Sequence, residues 1–190
     1  MFSNSLIARK KILDSIGTSF DKRVQKAVEV VVACIKDEKT LFFAGNGGSA
    51  AEAQHMSTEY LATLEHGNFR PGIKSIALTV NTSFLTAWTN DFGYEDIFMR
   101  QLQTLSSEGD LFFAYSTSGN SKNIIKAVEY GKDNGIKIIG FTGNDGGMLA
   151  KLFDISFCIP SQSTAMIQEI HTMLGHEICA SVEKDLFFND

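Results

Sequence analysis

Two kinds of hydrophobic pattern alternate along the chain. Short apolar runs, Leu41-Phe42-Phe43-Ala44, Leu111-Phe112-Phe113-Ala114 and the stretches 73–80, 136–142 and 154–159, are bounded by Gly, Ser, Asn, Asp or Pro. Runs of that length between turn residues predict strands buried on both faces. Other segments place apolar residues at i, i+3 and i+4. The clearest is near the N-terminus, where Val24, Ala27, Val28, Val31, Val32 and Ile35 form one stripe and Asp21, Lys22, Lys26 and Lys36 lie off it. Residues 3–39 are therefore expected to be helical, and neither proline, Pro71 or Pro160, interrupts them. Further helices are expected from Ser49 onward, over a short segment through Trp88 capped by Thr82 or Ser83, and over 95–105, 122–134 and 163–183. Strands alternating with helices predict an α/β fold, a three-layer sandwich with a five-stranded parallel sheet flanked by helices.

The connections carry the first chemical signal. The run at Leu41 empties into Gly45-Asn46-Gly47-Gly48-Ser49 and then a helix. Glycines let the backbone turn sharply and approach a ligand, Ser49 or the turn amides can cap the helix, and a helix start attracts anions. The run at Leu111 repeats the same four letters and ends in Ser116-Thr117-Ser118-Gly119-Asn120-Ser121. Those hydroxyls and amides, with the start of the helix at 122, make a phosphate cradle; capping alone needs fewer hydroxyls. Ligands of open α/β sheets bind beyond the carboxyl ends of the strands, where such loops converge. Residues 63–71, 90–94 and 143–147 read as loops or turns.

Ionisable residues add to this. His55 and Glu59 stand four apart on one predicted helix, so imidazole and carboxylate share a face and can hold a metal, move protons or form a solvated pair. The last helix carries Gln168, His171 and His176. Gln168 and His176 lie about 80° apart around its axis and can reach one site about 12 Å long, whereas His171 points elsewhere and reads as structural.

Composition narrows the classes. The 190 residues, 44% hydrophobic and 21% charged, suit one domain, with helices over 1–39 and an α/β core over 40–190. A net charge of −5 without a block of Lys and Arg argues against nucleic-acid or membrane partners. No apolar run reaches the ~20 residues of a membrane span and no signal peptide is apparent, so a cytoplasmic location is expected. Cys34, Cys158 and Cys179 are widely spaced among apolar neighbours and read as small buried hydrophobes.

Taken in order, GNGGSAAEAQH, Glu59, NDFGYEDIF, STSGNS, TGNDGG and IQEIH with His176 resemble the bacterial phosphoheptose isomerases over some three quarters of the chain. The resemblance implies a sugar isomerase (SIS) domain, flavodoxin-like and doubly wound, assembled as a homotetramer with active sites at subunit contacts. It also implies interconversion of sedoheptulose 7-phosphate and D-glycero-D-manno-heptose 7-phosphate, the first step toward the heptose of lipopolysaccharide or capsule. Matched by position, Glu59 is the base and His176 the acid. Asn46, Gly47, Gly48, Glu59, Asn90, Asp91, Ser116, Thr117, Ser118, Ser121 and Gln168 bind the sugar phosphate. The resemblance further implies zinc, one ion per subunit, held by His55, Glu59, Gln168 and His176. The chain departs from the family at Thr63, where many members carry Arg, at Asn81, where an acidic residue is common, and in the loop 65–71; these bear on substrate detail rather than reaction type. Non-catalytic SIS-domain factors of the DnaA-associating kind share the GNG and STSGNS-like turns but lack the acid and base, so the presence of Glu59 and His176 favours an enzyme.

Overall fold

The five apolar runs form strands β1 (Leu41–Ala44), β2 (Ser75–Ala77), β3 (Leu111–Ser116), β4 (Lys137–Gly143) and β5 (Ile155–Ile159). Around them stand helices α1 (Phe2–Lys36), α2 (Gly48–Leu61), α3 (Thr82–Phe92), α4 (Ile97–Leu105), α5 (Lys122–Asp133) and α6 (Thr164–Glu183). This computed structural model describes residues 2–65, 67 and 69–188. The strands pair in the order β2-β1-β3-β4-β5, every neighbour parallel. That is the doubly wound, flavodoxin-like arrangement expected from the sequence.

Both faces of the sheet are covered, which is why its strands are apolar at successive positions rather than alternating. Phe43, Phe113, Phe141 and Phe157 point to the side of α1, α2 and α6, where they join Val28, Val31, Met56, Ile170 and Ile178. Phe42, Ala44, Phe112, Ala114 and Ile138 point the other way, against α4 and α5, meeting Phe98, Leu102, Ile124 and Val128. The first face carries a row of rings across the strands, with Phe43 stacked on Phe113 at 4.5 Å and Phe141 on Phe157 at 5.1 Å. A fully buried Phe stabilises the fold by roughly 1.5–3 kcal/mol, so this row anchors the layer that carries α2 and α6.

Several boundaries differ from the pattern-based expectation. The second strand is three residues rather than the run 73–80, because the carbonyls of Leu78 and Thr79 accept from the side chains of Gln101 and Gln54. α3 is capped by Asn81, whose side chain accepts from the Phe84 amide, and not by Thr82 or Ser83. It also continues past Trp88 to Phe92, so Asn90 and Asp91 lie in its last turn and not in the turn expected at 90–94; Gly93 ends the helix. The i, i+4 ring contacts of Trp88, stacked on Phe84 at 5.8 Å and tilted against Phe92 at 4.4 Å, override the turn preference of Asn and Asp. The N-terminal helical region is divided by Gly17, whose dihedrals are not helical. Cys34 and Cys179 are buried, and burial pushes each thiol up to about 12, while Cys158 is only half-buried. His66 and Asn68 of the loop 65–71 lie outside the described residues.

Candidate active site at the β1–β3 switch point

After β1 the chain crosses to β2 on one side of the sheet, and later returns to β3 on the other. Loops after β1 and β3 therefore open side by side, the place where doubly wound sheets bind ligands. α2 begins in the first loop. Gly47 is its N-cap and makes no side-chain cap, and Ser49, offered above as a cap, is instead buried in the first turn with its amide on the Asn46 carbonyl. The backbone amides of the turn, rather than a side-chain cap, are thus what this helix start offers. A Cβ on Gly48 would stand 2.5 Å from the Gln168 amide nitrogen, so glycine here leaves the Gln168 carboxamide its place against the start of α2. Gln168 joins the site through this contact.

About two and three turns further along α2 come His55 and Glu59. His55 Nε2 lies 2.8 Å from His176 Nε2 on α6, a hydrogen bond whose direction depends on the tautomers, and His55 Nδ1 lies 3.6 Å from Glu59 Oε1. Ligand atoms of the three residues all fall within 4.8 Å of one another. Two imidazoles and a carboxylate are ordinary zinc donors, with bonds of about 2.0–2.2 Å, so the donor set fits one divalent ion. The cluster is open on one side: the His55 side chain is 45% exposed and that of Glu59 16%.

Glu52, one turn before His55, was not singled out by sequence although it shares that helix face. The residue is 8% exposed; Oε2 accepts from Thr172 Oγ1 at 2.5 Å and Oε1 is buried without a hydrogen-bond partner. Burial holds this carboxyl above the usual range, with the Thr172 bond and the nearby His55 and His176 opposing that shift. His171 faces away from the cluster as expected: it is buried, its Nε2 is 3.1 Å from the Thr142 carbonyl, and burial lowers it to about 4.

The serine loop after β3 is held from behind. Ser116 and Ser121 hydroxyls are 2.9 Å apart and Ser121 makes no side-chain cap on α5, where the Ile124 amide donates to the Ser121 carbonyl and to Asn123 Oδ1. Gly119 has φ +65° and its missing Cβ would collide with the Gly146 carbonyl oxygen. Around that contact, the Leu149 amide donates to the Gly119 carbonyl, the Met148 amide to Asn120 Oδ1, and Asn120 Nδ2 to the Ser118 carbonyl. Thr117, whose carbonyl accepts from the Gly143 amide, and Ser118 line the outer side of the loop. The TGNDGG segment is therefore the buttress of the serine turn.

Asn46 is tied to the same helix start. Its carboxamide exchanges two hydrogen bonds with Asn123, at 2.8 and 2.9 Å, and its oxygen also accepts from Tyr94 Oη at 2.7 Å. Asn90 and Asp91 are exposed and hydrogen-bonded to one another, and Asp91 is outside the His55–Glu59–His176 group. Tyr94 lies within a motif that the sequence flags, whereas nothing in the sequence marks Asn123.

These features define a class: a doubly wound domain with two adjoining helix starts at its switch point and a cluster of ionisable groups, His55, Glu59 and His176, further along the first of those helices. The family model for the SIS domain matches residues 7–143. Phosphoheptose isomerase 2 of Campylobacter jejuni is 46% identical over 187 residues, 98% of this chain and 90% of its own length. The phosphoheptose isomerase of Aneurinibacillus thermoaerophilus is 49% identical over 164 residues, 86% of this chain and 80% of its own. The solved phosphoheptose isomerase from Francisella tularensis superposes with a TM-score of 0.91 at 30% identity, covering 96% of each chain. The chain belongs to the phosphoheptose isomerase family of SIS-domain proteins, and it is an isomerase. Among the described residues no helix is long and apolar enough to cross a membrane.

Proposed function

We propose that this chain interconverts sedoheptulose 7-phosphate and D-glycero-D-manno-heptose 7-phosphate through an enediol, with Glu59 as base and His176 as acid. The observation that carries the reading is the meeting of Glu59, on the helix that starts at the glycine turn, and His176, whose ligand atoms lie within 4.8 Å of one another although their helices are more than a hundred residues apart in sequence. In the ketose-to-aldose direction Glu59 takes a proton from C1, the C1–C2 double bond forms, and the C2 oxygen takes a proton from His176. Glu59 then returns its proton to C2 while the C1 hydroxyl gives its proton back to His176. Ser116, Thr117, Ser118, Ser121 and the amides of Gly47 and Gly48 hold the phosphate end, and Asn46, Asn90, Asp91 and Gln168 the sugar.

The same residues support a metal. His55, Glu59 and His176, with Gln168 as a weaker fourth, would hold zinc, which when bound polarises sugar oxygens. Assembly as a homotetramer is supported by α1, whose first arm exposes Phe2, Leu6 and Ile7 and leads into an apolar groove of about 760 Å³ lined by Leu13, Ile16, Phe20, Val24 and Met173. The openness of the cluster and the outlying position of Asn90 and Asp91 support completion of each site by a neighbouring copy. Free thiols at Cys34, Cys158 and Cys179 fit a cytoplasmic enzyme supplying heptose for lipopolysaccharide or capsule.

Incubation of the purified protein with sedoheptulose 7-phosphate, with and without zinc, should yield the aldose. Absence of turnover in both conditions would favour a protein-binding SIS domain. Glu59→Gln should lower kcat by about 10²–10⁴-fold, the range of general acid–base catalysis, and leave sugar-phosphate binding measurable by calorimetry. Retained turnover would refute the base assignment.

A further inference from the structure

We infer that Glu52 is the outer carboxylate of the His55–Glu59–His176 site: it balances the charge of a bound divalent cation, and its bond from Thr172 sets the register of α2 against α6. The inference rests on the metal reading proposed above. A buried carboxylate is costly unless something positive offsets it. No lysine or arginine among the described residues forms an ion pair with Glu52, and one of its oxygens has no hydrogen-bond partner. An orphaned buried oxygen of this kind calls for a missing ion, water or ligand.

Position supplies the rest. Glu52 precedes His55 by three residues and Glu59 by seven, spacings that return to one face of α2. Across the interface Thr172 stands one turn before His176 and one turn after Gln168, and its hydroxyl is also 3.1 Å from the Gln168 carbonyl. The two helices thus meet in rungs: Gly48 with Gln168, Glu52 with Thr172, His55 with His176. A divalent cation on two neutral imidazoles and one carboxylate retains a net positive charge of one, which a second carboxylate one rung away offsets. Glu52 needs no coordination bond for this. It is a positioning and charge-balancing residue, not a catalytic one.

The test measures zinc affinity by competition with a chromophoric chelator, together with the thermal midpoint of the metal-free protein, for wild type, Glu52→Gln, Thr172→Val and Thr172→Ser. Glu52→Gln keeps shape and an acceptor for Thr172. It should weaken zinc about 10–100-fold, the usual effect of losing an outer-shell partner, without lowering the metal-free midpoint. Thr172→Val should lose part of the affinity and Thr172→Ser should keep it. Zinc affinity of Glu52→Gln within twofold of wild type, or a lowered metal-free midpoint with affinity unchanged, overturns the inference while leaving the site reading intact. A wild-type protein that takes up no zinc overturns the metal reading, and this inference with it.

Discussion

Arg70 and Glu183 form an ion pair sealed from solvent, with Arg70 Nη2 2.7 Å from Glu183 Oε1 and side chains 0% and 1% exposed. The guanidinium also donates to the carbonyls of Glu59 and Tyr60, two of the orphan acceptors at the end of α2, while Glu183 accepts from the amides of Leu64 and Glu65. The pair therefore fixes the turn that carries Glu59. Arg70→Ala leaves a buried carboxylate without its cation and should cost roughly 3–5 kcal/mol in chemical denaturation. A double replacement, Arg70→Met with Glu183→Leu, removes the unpaired charge but leaves those carbonyls and amides without partners, so it should recover only part of that stability. If the single variant unfolds at the wild-type denaturant midpoint, the pair does not hold this corner together.

Gly119 tests the buttress behind the serine turn. An L-residue in the left-handed region costs about 1–2 kcal/mol before any clash, and here the added Cβ also meets the Gly146 carbonyl. Gly119→Ala should push the two loops apart and raise KM for the sugar phosphate by about tenfold to 10²-fold, more than it lowers kcat. An unchanged KM would show that this loop does not grip the phosphate.

Asn123→Ala should unseat Asn46. Asn123 is buried, and removing it leaves the Asn46 carboxamide without the partner of two hydrogen bonds. A loss of about 1–3 kcal/mol in stability is expected, with a higher KM, whereas Tyr94→Phe, at an exposed bond, should cost about 1 kcal/mol or less. Equal effects of the two variants would contradict the network described.

His171 gives a pH dependence of definite sign. Its folded-state value of about 4 lies below the ordinary 6.5, because burial disfavours the cation. As pH falls through 6.5 the unfolded chain takes up a proton that the folded protein does not, so stability declines from about pH 6.5 to about pH 4 and levels off below; above 6.5 the term vanishes. The full difference is roughly 3 kcal/mol. Glu52, shifted upward, acts in the opposite sense as pH rises past the ordinary carboxylate range. The difference between metal-free wild type and His171→Gln, followed from pH 7 to 4 by denaturant titration, isolates the histidine. A difference that does not change with pH would remove this assignment.

The exposed apolar arm of α1 predicts the response of assembly. Ile7→Glu combined with Leu13→Glu places two charges on the arm and groove where a second copy would pack. Light scattering should show smaller particles than for wild type, with lower turnover. A wild-type protein that is an active monomer excludes this mode of assembly.

The sequence by itself determined the architecture and the chemical vocabulary of the site. Apolar runs at Leu41 and Leu111 had to be central strands, because nothing else buries four such residues in succession between turns. The i, i+4 pair of His55 and Glu59 was legible because helical spacing is local. The tertiary structure alone decided what lies outside that local range. Asn90 and Asp91 became helical because i, i+4 contacts among neighbouring aromatic rings outweighed turn preference, and β2 stopped early because distant glutamines took the carbonyls of Leu78 and Thr79 that follow it. Glu52 with Thr172, Asn46 with Asn123 and Arg70 with Glu183 join residues 77 to 120 positions apart. Such partnerships are set by how the helices dock on the sheet and not by any spacing along the chain.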